Sequence, residues 1–145
     1  MWKDGALVEA NARQCPATMA ALACVDQPHT LNCSPAAMFS ILRPHTRIPP
    51  HTGVANTRLV LHLALIVPEG CGFRCGGETR PWREGEAFVF DDTIEHEAWN
   101  DSDKPRAVLI CDVWNPRLSP EERELVTRVM KTLDHFNGGT ADQGL

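Results

Sequence analysis

A chain of 145 residues, 43% hydrophobic and 23% charged, has the length of one domain and enough apolar side chains to bury a core. Its formal net charge of −5 argues against a nucleic-acid partner, because phosphate binding draws on a basic face, and no apolar run approaches the ~20 residues of a membrane span. Met1-Trp2-Lys3-Asp4-Gly5 lacks the basic and apolar regions of a secretory signal, so the six cysteines read as reduced thiols and the cytoplasm as the expected compartment.

Residues 5 to 25 carry Ala, Leu, Val and Met at mixed helical spacings with Pro16 near the middle, which predicts two short helices or one broken helix. Ala37 to Leu42 is a short strand. Thr57 to Val67 alternates strictly: Leu59, Leu61, Leu63, Leu65 and Val67 form one apolar face, and Arg58, Val60 and His62 begin the other. The leucine face is expected to be core, and the opposite face to hold the polar chemistry. Turn signals at Pro68-Glu69-Gly70, Gly76-Gly77 and Glu84-Gly85 separate short runs such as Phe73 to Cys75 and Ala87 to Phe90. Ile94 to Trp99 and Arg106 to Trp114 continue the series, and many short strands between turns predict a sandwich or barrel. Ser119-Pro120-Glu121-Glu122 is a capping box that opens a helix. Leu125, Val126, Val129, Met130 and Leu133 make one apolar face of it, and Gly138-Gly139 ends it ahead of a loose tail. With no repeat or linker, residues 1–145 read as a single domain.

The chemistry concentrates at His51 and His96. In a jelly roll His51 would leave the end of one strand and His96 would lie on another running back past it. Alternation puts His96 on the face of Ile94 and Ala98, so Glu95 and Glu97 point the other way and neither is a good third ligand. Two imidazoles suit Fe, Zn, Cu or Ni and do not name the metal. Cys71 and Cys75 have no second pair to complete a zinc site, so they read as small buried or turn residues. Asp91-Asp92, after Phe90 and before a strand, reads as a turn whose side chains bond the backbone. Trp82, Trp99 and Trp114 read as core and rim, and His29, His45 and His135 receive no role.

Five ordered segments carry a resemblance: Arg43-Pro-His-Thr-Arg-Ile-Pro-Pro-His51-Thr-Gly, Asn56-Thr-Arg-Leu-Val-Leu-His62-Leu, Glu78-Thr-Arg-Pro-Trp-Arg-Glu-Gly85, Phe90-Asp-Asp-Thr-Ile-Glu-His96-Glu-Ala-Trp and Asp112-Val-Trp-Asn-Pro116. Together they closely resemble the aspartyl/asparaginyl β-hydroxylase family, from about Trp2 to the capping box. The resemblance implies a mainly β fold, a double-stranded β-helix of the cupin-like jelly-roll type, flanked by short N-terminal helices and a C-terminal helix. It implies an Fe(II)- and 2-oxoglutarate-dependent dioxygenase that couples O2 consumption and oxidative decarboxylation to succinate with hydroxylation of a C–H bond. Residue by residue, it makes His51 and His96 the iron ligands and pairs Arg106 with the far carboxylate of 2-oxoglutarate, helped by the Ser40 hydroxyl. It places His62 against the cosubstrate near the metal and Arg58 facing the substrate. An arginine fork suits a dicarboxylate held in a half-buried barrel. Arg58 as a plain salt-bridge partner stays open beside its substrate role.

Most iron oxygenases of this fold add a carboxylate to two histidines; here that position is Gly53, and the β-hydroxylases the chain resembles also lack it. Val60 departs from the animal enzymes of the family, where an arginine is expected, so the substrate should carry less negative charge than an aspartyl residue. The preferred substrate is an Asp/Asn-type side chain of a small molecule, a peptide or a carrier-bound amino acid, hydroxylated at the β-carbon. Alternatives are a lipid acyl-chain hydroxylase, a halogenase using the room left by Gly53, and a non-catalytic cupin-like binding module. Because the resemblance is under way at Trp2 and relatives extend further upstream, there is room for an N-terminal piece outside these residues that helps to cover the barrel.

Overall fold

Side chains in a strand point alternately to its two faces, and that alternation organises the whole molecule. The computed structural model describes residues 1–3, 6–30 and 35–138. In chain order its elements are β1 (Trp2–Lys3), β2 (Ala6–Leu7), α1 (Glu9–Gln14), α2 (Pro16–Leu22), β3 (Ala37–Leu42), β4 (Thr46–His51), β5 (Arg58–Ile66), β6 (Cys71–Cys75), β7 (Glu78–Arg80), β8 (Ala87–Phe90), β9 (His96–Asn100), β10 (Arg106–Trp114) and α3 (Pro120–Gly138). The strands form a six-stranded sheet in the order β2-β1-β3-β10-β5-β8 and a four-stranded sheet in the order β4-β9-β6-β7. Pairing is antiparallel and nested: β3 lies beside β10, β4 beside β9, β5 beside β8 and β6 beside β7. One long antiparallel ribbon is thus rolled upon itself, which is the jelly-roll, double-stranded β-helix arrangement that the motifs imply.

Three even residues of β5, Val60, His62 and Ala64, are buried. Ala64 joins Leu42, Val108, Phe73, Ala98 and Trp82 in the core between the sheets. The leucines of β5 face outward instead. Leu61 and Leu63 pack with Leu109 and Cys111 of β10 under Met19 and Leu22 of α2. The expectation that the leucine face forms the core and the other face the chemistry is therefore corrected. The inner face does both, and α2 supplies the cover that lets an outward face be apolar. That cover stops short, because Ile41 and Ile66 at the far end of the same face are 67% and 54% exposed.

Pro16 does break the N-terminal helical stretch, with Cys15 between α1 and α2 in a non-helical conformation (φ −128, ψ 55). β9 begins at His96 rather than at Ile94. Asp91 Oδ1 accepts from Thr93 N at 3.0 Å and Oγ1 at 2.7 Å, and this turn holds the chain out of the ladder until His96. The capping box forms as expected, with Ser119 N donating to Glu122 Oε2 at 2.7 Å and Glu122 N donating to Ser119 Oγ at 3.3 Å. The apolar face of α3, however, is split. Val126 and Met130 turn toward Trp114, whereas Leu125, Val129 and Leu133 remain exposed. The barrel offers α3 only a narrow seat, where Arg123 bonds Asp26 Oδ2 at 2.6 Å and covers the Trp114 ring at 5.7 Å. The tail after Gly138 lies outside the described residues. No helix among the described residues is long and apolar enough to cross a membrane.

Candidate active site

Two imidazoles meet because a ladder is interrupted. Pro49 and Pro50 have no N–H to donate and are tolerated because β4 is the edge of its sheet. The β4–β9 register shifts between Ile48 and His51 and resumes with His51 opposite His96. Nδ1 of His51 lies 2.8 Å from the carbonyl oxygen of Pro49, and Nδ1 of His96 lies 2.9 Å from that of Ile94. A carbonyl only accepts, so in each neutral ring Nδ1 carries the hydrogen and Nε2 keeps its lone pair. Metal-binding histidines ordinarily make this supporting bond. The ring centroids are 4.2 Å apart with planes at 54°. Arg74 engages both glutamates flanking His96, through Nη2 to Glu95 Oε1 at 2.9 Å and Nε to Glu97 Oε1 at 2.5 Å. Among the described residues no group of three His, Cys, Asp or Glu side chains gathers closely enough to hold a metal.

Gly53 is not simply a missing carboxylate. A Cβ placed on it would lie 2.2 Å from Asp92 Oδ2 and 2.3 Å from Asp92 Cγ, so the Asp92 carboxylate fills the space a side chain would need. Gly53 N also donates to the Asp92 carbonyl at 2.6 Å. Arg58 fixes Asp92 from the other side: its Nη1 lies 3.1 Å from Asp92 Oδ2 and 3.2 Å from Asp112 Oδ1. Asp92 Oδ1 is buried without a hydrogen-bond partner among the described residues. An acceptor held this way beside two imidazoles is matched to a proton-bearing ligand.

Arg106 lines the same cavity, which holds about 150 Å³ and is also lined by Ser40, His51, Val60, His62, Asp92 and His96, among others. The Arg106 side chain is 1% exposed. Its Nη1 donates to Ser40 O and Ser40 Oγ, both at 3.2 Å, and its guanidinium lies 4.6 Å from the Trp82 ring centroid. No carboxylate pairs with it among the described residues, and its Nε has no partner there. Burial pulls its pKa below the ordinary arginine value. The Ser40 hydroxyl accepts from Arg106 and so keeps its own hydrogen to give. His62, which lines the same cavity, is held neutral with its pKa lowered to about 3, first by burial, then by the charge of Arg106.

The structure thus gathers His51, His96, Arg106, Ser40, His62 and Val60 around one cavity, as the motifs imply. For Arg58 it favours the salt-bridge alternative, since both neighbouring aspartates meet the guanidinium. The reading of Asp91-Asp92 as a turn holds, and its expectation that both side chains bond the backbone is corrected for the second residue. Both residues lie in the turn, which Ile94 N closes on the Asp91 carbonyl at 3.1 Å, but only the Asp91 side chain bonds the backbone; the Asp92 carboxylate meets Arg58 and lines the cavity. Its sequence signal was the glycine at 53, whose missing side chain leaves a place for another residue's carboxylate.

A sequence profile described as Aspartyl/Asparaginyl beta-hydroxylase matches residues 1–116. The chain is 42% identical over 125 residues to the aspartyl/asparaginyl beta-hydroxylase of Mus musculus, covering 85% of this chain and 17% of that protein. It is 43% identical over 119 residues to the ornithine lipid ester-linked acyl 2-hydroxylase of Rhizobium tropici, covering 80% of this chain and 40% of that one. The chain therefore spans less than half the length of either relative. Among solved structures, a Cupin_2 domain of an XRE family transcriptional regulator from Enterobacter cloacae superposes with a TM-score of 0.47 at 15% identity, over 56% of this chain and 82% of that one.

Proposed function

This chain belongs to the aspartyl/asparaginyl β-hydroxylase family, and on that footing we propose that it is an Fe(II)- and 2-oxoglutarate-dependent oxygenase that hydroxylates an unactivated C–H bond. One observation carries the reading: a single cavity is lined by two imidazoles whose Nδ1 atoms are engaged by backbone carbonyls, which leaves Nε2 for a metal, and by a buried arginine that has no counter-carboxylate among the described residues. The residues fit the groups this chemistry needs. Nε2 of His51 and His96 would hold iron, and the unpartnered Arg106 Nε–H with the Ser40 hydroxyl would hold the far carboxylate of a dicarboxylic cosubstrate. Bound iron supplies the redox chemistry by which O2 is used as 2-oxoglutarate loses CO2 to become succinate, with one oxygen atom entering the substrate.

The chain's own part is positioning and exclusion. Arg106 sets the direction of the cosubstrate by a charge-assisted fork. Neutral His62 offers a hydrogen-bond donor without adding a second cation. Val60, Phe90 and Ile110 wall the cavity with apolar surface and keep water out. Asp92 presents an acceptor on the side left open by Gly53.

The substrate reading is an aspartyl- or asparaginyl-type side chain, attacked at its β-carbon and carrying a neutral amide or a single carboxylate. Val60 contributes no guanidinium, and that of Arg58 is engaged by Asp92 and Asp112. A second reading, hydroxylation of an acyl chain, is favoured by the groove beside Arg58, about 390 Å³ and lined by Val54, Trp114, Val126 and Met130. The test is reconstitution with Fe(II) without oxygen, then O2 and 2-oxoglutarate with aspartyl and asparaginyl peptides, free amino acids and acyl substrates. Succinate formed in step with a product heavier by one oxygen atom is the expected result. Absence of succinate with every class, in protein that retains iron, would refute the reading.

A further inference from the structure

Trp82 lies between β7 and β8, is 4% exposed, and touches the site at two places. Its Nε1 is 3.4 Å from His62 Nδ1, with the two rings nearly parallel at 25°. Its face lies under the Arg106 guanidinium at 4.6 Å. These contacts act on two side chains that line the cavity.

An indole N–H only donates, so the His62 nitrogen it meets must be the bare one. In a neutral imidazole the hydrogen then resides on Nε2, and burial beside Arg106 keeps the ring neutral. Among the described residues the other ring contacts of His62 are with Phe73, Phe88 and Phe90, and none of these offers a polar atom to choose the tautomer. For Arg106 the electron-rich indole face offsets part of a positive charge that no carboxylate among the described residues answers, and it holds the planar fork flat. We infer that Trp82 is a positioning residue: its N–H makes His62 an Nε2–H donor, and its ring holds Arg106 poised for a dicarboxylate. The ligand's identity rests on the function proposed above, while the His62 tautomer and the Arg106 pose belong to the free protein.

A merely space-filling Trp82, packed against Phe73 and Phe88, would be nearly replaced by phenylalanine. The test therefore removes the N–H and keeps a ring. Long-range 15N NMR of the histidine rings, in metal-free wild type, reads the His62 tautomer directly. The expected form is Nε2–H, and an Nδ1–H form would overturn the inference without any variant. Trp82→Phe should release the ring to a mixture of tautomers and weaken 2-oxoglutarate binding to Mn(II)-loaded protein by about 3-fold to 10-fold, the worth of one net hydrogen bond. In a His62→Leu background the same substitution should cost much less. An unchanged tautomer in Trp82→Phe, or an equal loss of affinity in both backgrounds, would overturn it. If wild type binds no 2-oxoglutarate, the proposed function fails, and the NMR measurement alone decides the role of Trp82.

Discussion

Replacing Arg106 by methionine should make the free protein no less stable while crippling its cosubstrate binding, and this opposition of signs separates a ligand-binding arginine from a structural one. Arg106 is 1% exposed and has no carboxylate partner among the described residues. An unpaired buried cation costs several kcal/mol of desolvation. Against this stand two hydrogen bonds to Ser40 and the Trp82 face, about 0.5–1.5 kcal/mol for a typical hydrogen bond and about 0.5–2 kcal/mol for the cation–π contact. Arg106→Met keeps most of the stem, so chemical denaturation should find the free protein unchanged or stabler by up to about 3 kcal/mol. Calorimetric titration with 2-oxoglutarate should find a loss of about 2–4 kcal/mol, roughly 30-fold to 1,000-fold in affinity, from the stranded carboxylate. A variant destabilised by ~3–5 kcal/mol, the cost of breaking a compensated buried pair, and still binding 2-oxoglutarate as wild type does, would show that Arg106 serves the fold.

Three further outcomes are expected. His62 has a folded pKa near 3 against its ordinary 6.5, so the unfolded chain takes up the proton first as pH falls. Stability is therefore full above pH ~6.5 and lost progressively toward pH ~3, by about 2 kcal/mol at pH 5, and His62→Gln should flatten that part of a denaturation profile. Gly53→Ala should push Asp92 off Arg58, because the new Cβ would lie 2.2 Å from Asp92 Oδ2, lowering stability by about 1–3 kcal/mol; most of the loss should return in the Gly53→Ala, Asp92→Ala double variant. Val60→Arg should shift turnover toward acidic side chains by ~1–3 kcal/mol, measured as succinate formed on matched aspartyl, asparaginyl and aliphatic peptides, and an identical ranking for both proteins would remove residue 60 from substrate choice.

Much of the site was legible because its residues sit in ordered motifs on alternating strands. His51, Ser40, Val60, His62, His96 and Arg106 all line the cavity those motifs imply. What stayed hidden depends on register and cover, which a single sequence carries poorly. Arg58 could not be assigned from its own strand, because Asp112 reaches it from β10, where it pairs with Val60. Asp92 was read with its turn neighbour, although only the Asp91 side chain bonds the turn backbone. Strict alternation separated the two faces of β5 only as far as Ala64, where a register shift turns Ile66 outward and leaves Val67 against the inner core. It did not tell inside from outside, since α2 makes the outward leucines as apolar as a core. The period of α3 marked Leu125, Val129 and Leu133 as able to be buried, and only the barrel's narrow seat decides that they are not.

The most direct measurement is a crystal structure of the protein loaded with Fe(II) and 2-oxoglutarate in the absence of oxygen. The expected result has iron bonded to Nε2 of His51 and Nε2 of His96 as its only protein ligands, with the far carboxylate of 2-oxoglutarate on Arg106 and the Ser40 hydroxyl. A carboxylate of Asp92, Asp91 or any glutamate bonded to the metal, or a cosubstrate that does not touch Arg106, would contradict it.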